Sequence, residues 1–165
     1  MMTEKTYERI SAPFRRSANG ARGLEYINKI LTIVTYVAYI ALVISQLILD
    51  RNVFWQVLLV PAVGFVGVTL FRKVFNASRP YEVLDIQPLL SRRKQGQSFP
   101  SRHAFSIFMI AMALGYVWIP LGIVFLVLGV LLAYIRVVGG VHFPKDVIAG
   151  ALEAIIWGIV GFGLL

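Results

Sequence analysis

Four or five stretches of this chain approach the ~20 apolar residues needed to cross the hydrocarbon core of a bilayer. Five are assigned: about Ile27 to Leu49, Val53 to Phe75, Pro100 to Ile119, Pro120 to Val138 and Pro144 to Leu165. Asp50-Arg51-Asn52, the polar residues 76–99 and Gly139-Gly140 interrupt them, and Pro120 opens the fourth. In lipid a backbone must satisfy its own hydrogen bonds, and a helix does so within one segment. The pattern predicts an all-α polytopic transmembrane helix bundle with about five spans. Composition agrees, because 58% of the 165 residues are hydrophobic and the mean hydropathy is +0.77. A soluble domain is closer to half apolar.

Residues 27–165 read as one membrane domain, with no room for a second. Residues 1–26 read as a basic cytosolic or interfacial arm. They contain Lys5, Arg9, Arg15, Arg16 and Arg22 but no apolar run, so no cleavable signal peptide is expected. The 76–99 stretch mixes Leu84, Ile86, Leu89 and Leu90 with Asp85, Gln87 and Arg92-Arg93-Lys94. That mixture suggests a segment lying along the interface. Inside the second span, Pro61 is expected to kink the helix, and Gly64 and Gly67 allow close helix contact.

The net charge of +8 would suggest nucleic acid in a soluble protein. Here basic residues flank membrane helices, and there is no basic-aromatic stripe on a soluble face, so a nucleic-acid partner is not expected. With five spans, every Lys and Arg except Arg51 falls on one side, which the positive-inside rule places in the cytoplasm. Tyr26, Trp55, Tyr81, Trp118 and Tyr134 sit near helix ends and read as an interfacial belt. There is no cysteine, which excludes disulfides, thiolate chemistry and Cys-based zinc sites.

Three short stretches at span boundaries carry chemistry. Arg72 and Arg79 are seven apart, close to two helical turns, and can share a face with Lys73 beside it. Pro100-Ser101-Arg102-His103 looks like a helix N-terminus with Ser98 as candidate cap, where free amides favour an anion. Ser101 adds a hydroxyl donor there, and His103, one turn in, can hand a proton to a leaving oxygen. Arg136 arrives from the end of the fourth span. His142 follows Gly139-Gly140, and Asp146 lies four residues later, one helical turn along. A carboxylate on one imidazole nitrogen fixes the tautomer and leaves the other free to attack phosphorus. Arginine suits the phosphate, because its planar fork holds two oxygens at once.

Taken singly, each stretch has a blander reading: His142 and Asp146 as a helix-start cap pair, the cations as membrane anchors, His103 as an interfacial histidine. Glu153 is a further candidate. It lies two turns past Asp146 on the same helix face, where an ionisable group inside a membrane is a functional hypothesis by default.

In order, the three stretches resemble the signature of the type 2 phosphatidic acid phosphatase superfamily. That pattern is a basic residue, six residues and Arg-Pro; then Pro-Ser-x-His; then Arg, five residues, His, three residues and Asp. It spans Arg72 to Asp146. The resemblance implies that Arg72, Arg79, Ser101 and Arg136 bind phosphate, His103 is the general acid, His142 forms a phosphohistidine and Asp146 orients it. It implies no metal and no cofactor, with a membrane lipid phosphate as substrate. Three departures stand out. Arg72 occupies a position usually held by Lys, with Lys73 one residue late, and either could bind phosphate. Arg102 stands where Gly is usual, and is expected to add a phosphate contact or to shape specificity. Ile135 precedes Arg136 where Ser is usual.

The expectation is an integral membrane phosphatase at the headgroup plane, with residues 82–99 as a lid. Its substrate would be phosphatidate, phosphatidylglycerol phosphate or a polyprenyl pyrophosphate. Charge places the site on the cytoplasmic face of the cell membrane, against the family's usual extracytoplasmic site. The rivals are a phosphotransferase and a non-catalytic phospholipid binder or carrier. Oligomeric state is open.

Overall fold

The computed structural model describes residues 2–91 and 95–164. Its elements are α1 (Glu4–Arg16), α2 (Gly20–Leu49), α3 (Arg51–Phe75), α4 (Pro80–Val83), α5 (Arg102–Val117), α6 (Ile119–Val138) and α7 (Pro144–Leu164), all helical as expected. Arg92, Arg93, Lys94 and Leu165 lie outside the described residues.

Helices α2, α6 and α7 and the segment built on α3 are long and apolar enough to cross a membrane. Helix α5 is shorter, at 16 residues, or ~24 Å at 1.5 Å per residue. It forms the centre of the bundle, packed by α2, α3, α6 and α7. Ala104 through Ala111 are all buried along it. Its apolar surface is therefore covered by protein, and that of the outer helices is left to lipid. Ile33, Val37, Ile40 and Ile44 on α2, and Leu152, Ile156 and Ile159 on α7, are exposed. So much contiguous apolar surface suits a bilayer and not water.

Several boundaries differ from the sequence expectation. Helix α2 begins at Gly20, not near Ile27. Its first turns look polar because Glu25, Asn28, Lys29 and Thr32 recur at helical spacing, and these side chains line a cavity. Leu24 and Leu31 hold the same turns in the core. The arm contains its own helix, α1, capped by Thr3, whose Oγ1 accepts from the amide of Thr6 at 3.3 Å. Helix α3 runs through Pro61 without a break in assignment. The cap of α5 is Ser101, which accepts from the amide of Ala104 at 3.5 Å; Ser98 has another role.

Helix α3 ends where Asn76 takes a left-handed φ of 41°. Arg79 therefore lies beyond the helix, as the residue before α4, and does not share a helical face with Arg72. The described residues between 76 and 99 are mostly irregular. Glu82 clamps its ends by accepting from the amides of Arg79 (2.6 Å) and Gly96 (3.0 Å). Ser98 N donates to Ala77 O at 2.8 Å. Its middle is tied to the turn after α6, where the amides of Leu89 and Leu90 donate to Gly139 O at 3.1 and 3.2 Å. Helix α1 covers the same place, with buried Tyr7 donating to Gln87 O at 3.1 Å. Gly140 has φ 73°, and a side chain there would also run into the Tyr7 ring.

Candidate active site

A cavity of about 390 Å³ opens at the end of the bundle. Arg72, Arg79, Arg102, His103, Arg136 and His142 line one part of it. Glu25, Asn28, Lys29, Thr32 and Ile33 of α2, with Tyr81, Leu90, Ser91 and Gln97, line the rest. Three chain segments distant in sequence thus converge on one space.

His142 is 1% exposed, in the turn before α7. Its Nδ1 lies 3.5 Å from Oδ2 of Asp146. The side chain of Ser98 completes the group. Its hydroxyl donates to Asp146 Oδ2 at 2.5 Å, and its oxygen lies 3.3 Å from His142 Nδ1. A proton on Nδ1 therefore faces two acceptors, and Nε2 is left for the cavity. Ser98 and Asp146 are fully buried behind the ring and do not line the cavity. Burial pushes the His142 imidazole well below the ordinary histidine range. Asp146 opposes that shift, and Arg136 and Arg79 reinforce it. At neutral pH the ring is uncharged, which is the nucleophilic form.

Asp146 has a second duty. Its Oδ2 accepts from the amide of Phe143 at 2.9 Å, so it caps α7 as it faces His142. One carboxylate thus both caps α7 and faces the imidazole of His142. Close helix approach makes this geometry. A Cβ on Gly150 would sit 2.5 Å from Ser101 O, so only glycine lets α7 lie this near the start of α5. The approach is locked by Ser101 N donating to Asp146 O at 2.8 Å.

The arginines are both struts and cavity walls. Arg72 donates to the carbonyls of Pro100 and Gln97. Arg79 donates to Gly96 O at 3.0 Å and Val141 O at 3.2 Å. A guanidinium has five N–H donors, so each keeps donors for an anion. Arg136 reaches Asn28 Oδ1 at 3.3 Å, and the Arg102 guanidinium lies 5.5 Å over the Phe65 ring. Among the described residues no group of three or more His, Asp and Glu side chains is arranged to hold a metal.

The sequence candidates do not all converge. Lys73 is exposed and does not line the cavity, whereas Arg72 does. Ser101 is fully buried as a helix cap and does not line it either. Tyr81, expected in the interfacial belt, lines the cavity, while Tyr26, Trp55, Trp118 and Tyr134 are exposed. Glu153 lines a separate apolar groove with Val63, Gly64, Gly67, Phe105 and Trp157. Ser98 and the α2 wall were missed. The signal for the wall was present as four polar residues at i, i+3, i+4 and i+7 ahead of an apolar run.

The PAP2 superfamily model matches residues 54–164, which include every residue from Arg72 to Asp146. The chain belongs to the PAP2 superfamily. Among solved structures this PAP2 chain is similar to Aquifex aeolicus LpxE, at 25% identity and TM-score 0.73, over 99% of this chain and 96% of that one. It also shares the fold of the first transmembrane PAP2-type phosphatidylglycerolphosphate phosphatase from Bacillus subtilis. That match has 22% identity and TM-score 0.59, over 96% and 91% of the two chains. No curated protein sequence matches closely enough to add to this. Family and fold together support an integral membrane lipid phosphatase.

Proposed function

We propose that this PAP2 protein hydrolyses a lipid phosphate monoester or pyrophosphate through a phosphohistidine on His142. Phosphatidate, phosphatidylglycerol phosphate and polyprenyl pyrophosphates are the candidate substrates. The observation that carries this reading is the His142–Ser98–Asp146 group set against a cavity lined by four arginines and a second histidine.

Phosphoryl transfer needs positive charge around the equatorial oxygens and a nucleophile in line. Arg72, Arg79, Arg102 and Arg136 supply the charge. Nε2 of His142 attacks phosphorus, with Asp146 stabilising the imidazolium as it forms. His103 protonates the leaving oxygen, then takes a proton from the water that hydrolyses the phosphohistidine. The scheme is metal-independent. Glu25, Lys29, Asn28 and Ser91 contact the leaving group, and the lipid enters sideways past exposed Ile33. The site faces the cytoplasm, on the charge asymmetry of the chain.

The test is phosphate release from a panel of lipid phosphates and pyrophosphates by purified protein in EDTA, with His142→Ala as control. Release that survives EDTA and vanishes in the variant supports the scheme. Loss of release in EDTA refutes metal independence. Binding of a lipid phosphate without release points to the carrier reading, and appearance of the phosphate on an alcohol to the phosphotransferase.

A further inference from the structure

His142 has an orienting carboxylate and a serine behind it. His103 has no hydrogen-bond partner among the described residues, although its proposed role needs a fixed tautomer and a fixed ring direction. His103 lines two spaces. One is the catalytic cavity; the other is about 10 Å³ in volume and also lined by Thr32, Thr35, Tyr36, Ser106, Ile107 and Leu132. That volume is the lower limit for one water molecule.

Ser106 lies three residues after His103, on the same face of α5. Its Oγ is buried and has no hydrogen-bond partner among the described residues. An unpaired buried hydroxyl is uncommon and calls for a reason. The two neighbouring threonine hydroxyls are already committed. Thr32 Oγ1 donates to Asn28 O at 2.8 Å and Thr35 Oγ1 donates to Leu31 O at 2.7 Å. Both can still accept but not donate. Ser106, unlike these two threonines, is free to turn its proton either way.

We propose that Ser106 positions His103 through one water bound in this second cavity. The water joins Ser106 Oγ, a threonine oxygen and one His103 nitrogen, which meets the usual need for about three partners. The His103 nitrogen on the catalytic side is thereby kept as the one that serves the leaving oxygen. Ser106 is a positioning residue and touches no substrate. The proposal rests on His103 being the general acid.

The test reads the first step alone, as the pre-steady-state burst of leaving-group release, because hydrolysis of the phosphohistidine is common to all substrates. It compares a lipid phosphate, whose alkoxide leaving group needs a proton, with a nitrophenyl phosphate, whose leaving group does not. In that burst His103→Asn is expected to be slow on the first and far less affected on the second. Ser106→Ala should show the same selectivity, with the burst rate on the lipid phosphate lower by about tenfold, the upper worth of one neutral hydrogen bond, and KM unchanged. It should cost nothing further in the His103→Asn background, since residues acting as one unit are not additive. Ser106→Gly, which leaves room for a second water in place of the hydroxyl, should recover part of the rate. Equal loss on both substrates, or a Ser106→Ala rate equal to wild type, overturns the positioning role alone. If His103→Asn slows both substrates alike, the general-acid reading falls and this proposal with it.

Discussion

The hydroxyl of Ser98 donates to Asp146 Oδ2 at 2.5 Å, the same oxygen that faces His142 Nδ1 at 3.5 Å. Ser98 thereby holds the carboxylate and backs the imidazole at once. Ser98→Ala should lower kcat by about 10- to 100-fold with little change in KM, the range for losing a hydrogen bond to a charged group. Steady-state phosphate release checks it. A Ser98→Ala protein with wild-type kcat would remove Ser98 from the site.

Arg72 and Lys73 are adjacent in sequence and opposite in placement. Lys73→Ala should leave kcat/KM within about twofold, because an exposed charge outside the cavity contributes little. Arg72→Ala should lower it by about 100-fold or more, in line with the loss of one stabilising donor to a transition-state charge. Arg72→Lys should recover little, because Lys cannot brace Pro100 and Gln97 and still present a planar fork.

His142 is held neutral chiefly by burial, against the pull of Asp146. Its pKa when folded lies below the unfolded value of about 6.5, so on acidification the unfolded chain takes up the proton first. The stability from keeping this ring neutral is complete above about pH 6.5 and is lost as pH falls toward the folded pKa. Thermal unfolding in detergent should show Tm falling on that acid side, and less steeply in His142→Asn. Equal slopes would count against it.

Glu153 shares a helix face with Asp146 but opens into a different space, between α3, α5 and α7. Glu153→Gln should keep full phosphatase activity. A loss comparable to that of Asp146→Asn would tie the two acids together after all.

The helical membrane architecture was legible because hydropathy is a local property and the bilayer sets the segment length. That Arg79, His103, His142 and Asp146 come together was legible because their motifs sit at span boundaries, where helix ends have to meet. The reason first given for pairing Arg72 with Arg79 did not hold. A shared helical face requires a continuous helix, and the turn at Asn76 ends it. The cavity joins them through the loop instead.

The sequence by itself determined an all-helical membrane chain with a phosphate-handling signature at one end, since both follow from residue type and spacing. Only the tertiary structure decided which serine faces Asp146, which of two neighbouring cations points inward, and that the polar start of α2 forms the far wall of the site. Those outcomes depend on backbone reversals at Asn76, Gly96, Gln97 and Gly140 and on the close approach at Gly150. Each turns a side chain by its place in the packed whole, and no local pattern encodes that direction.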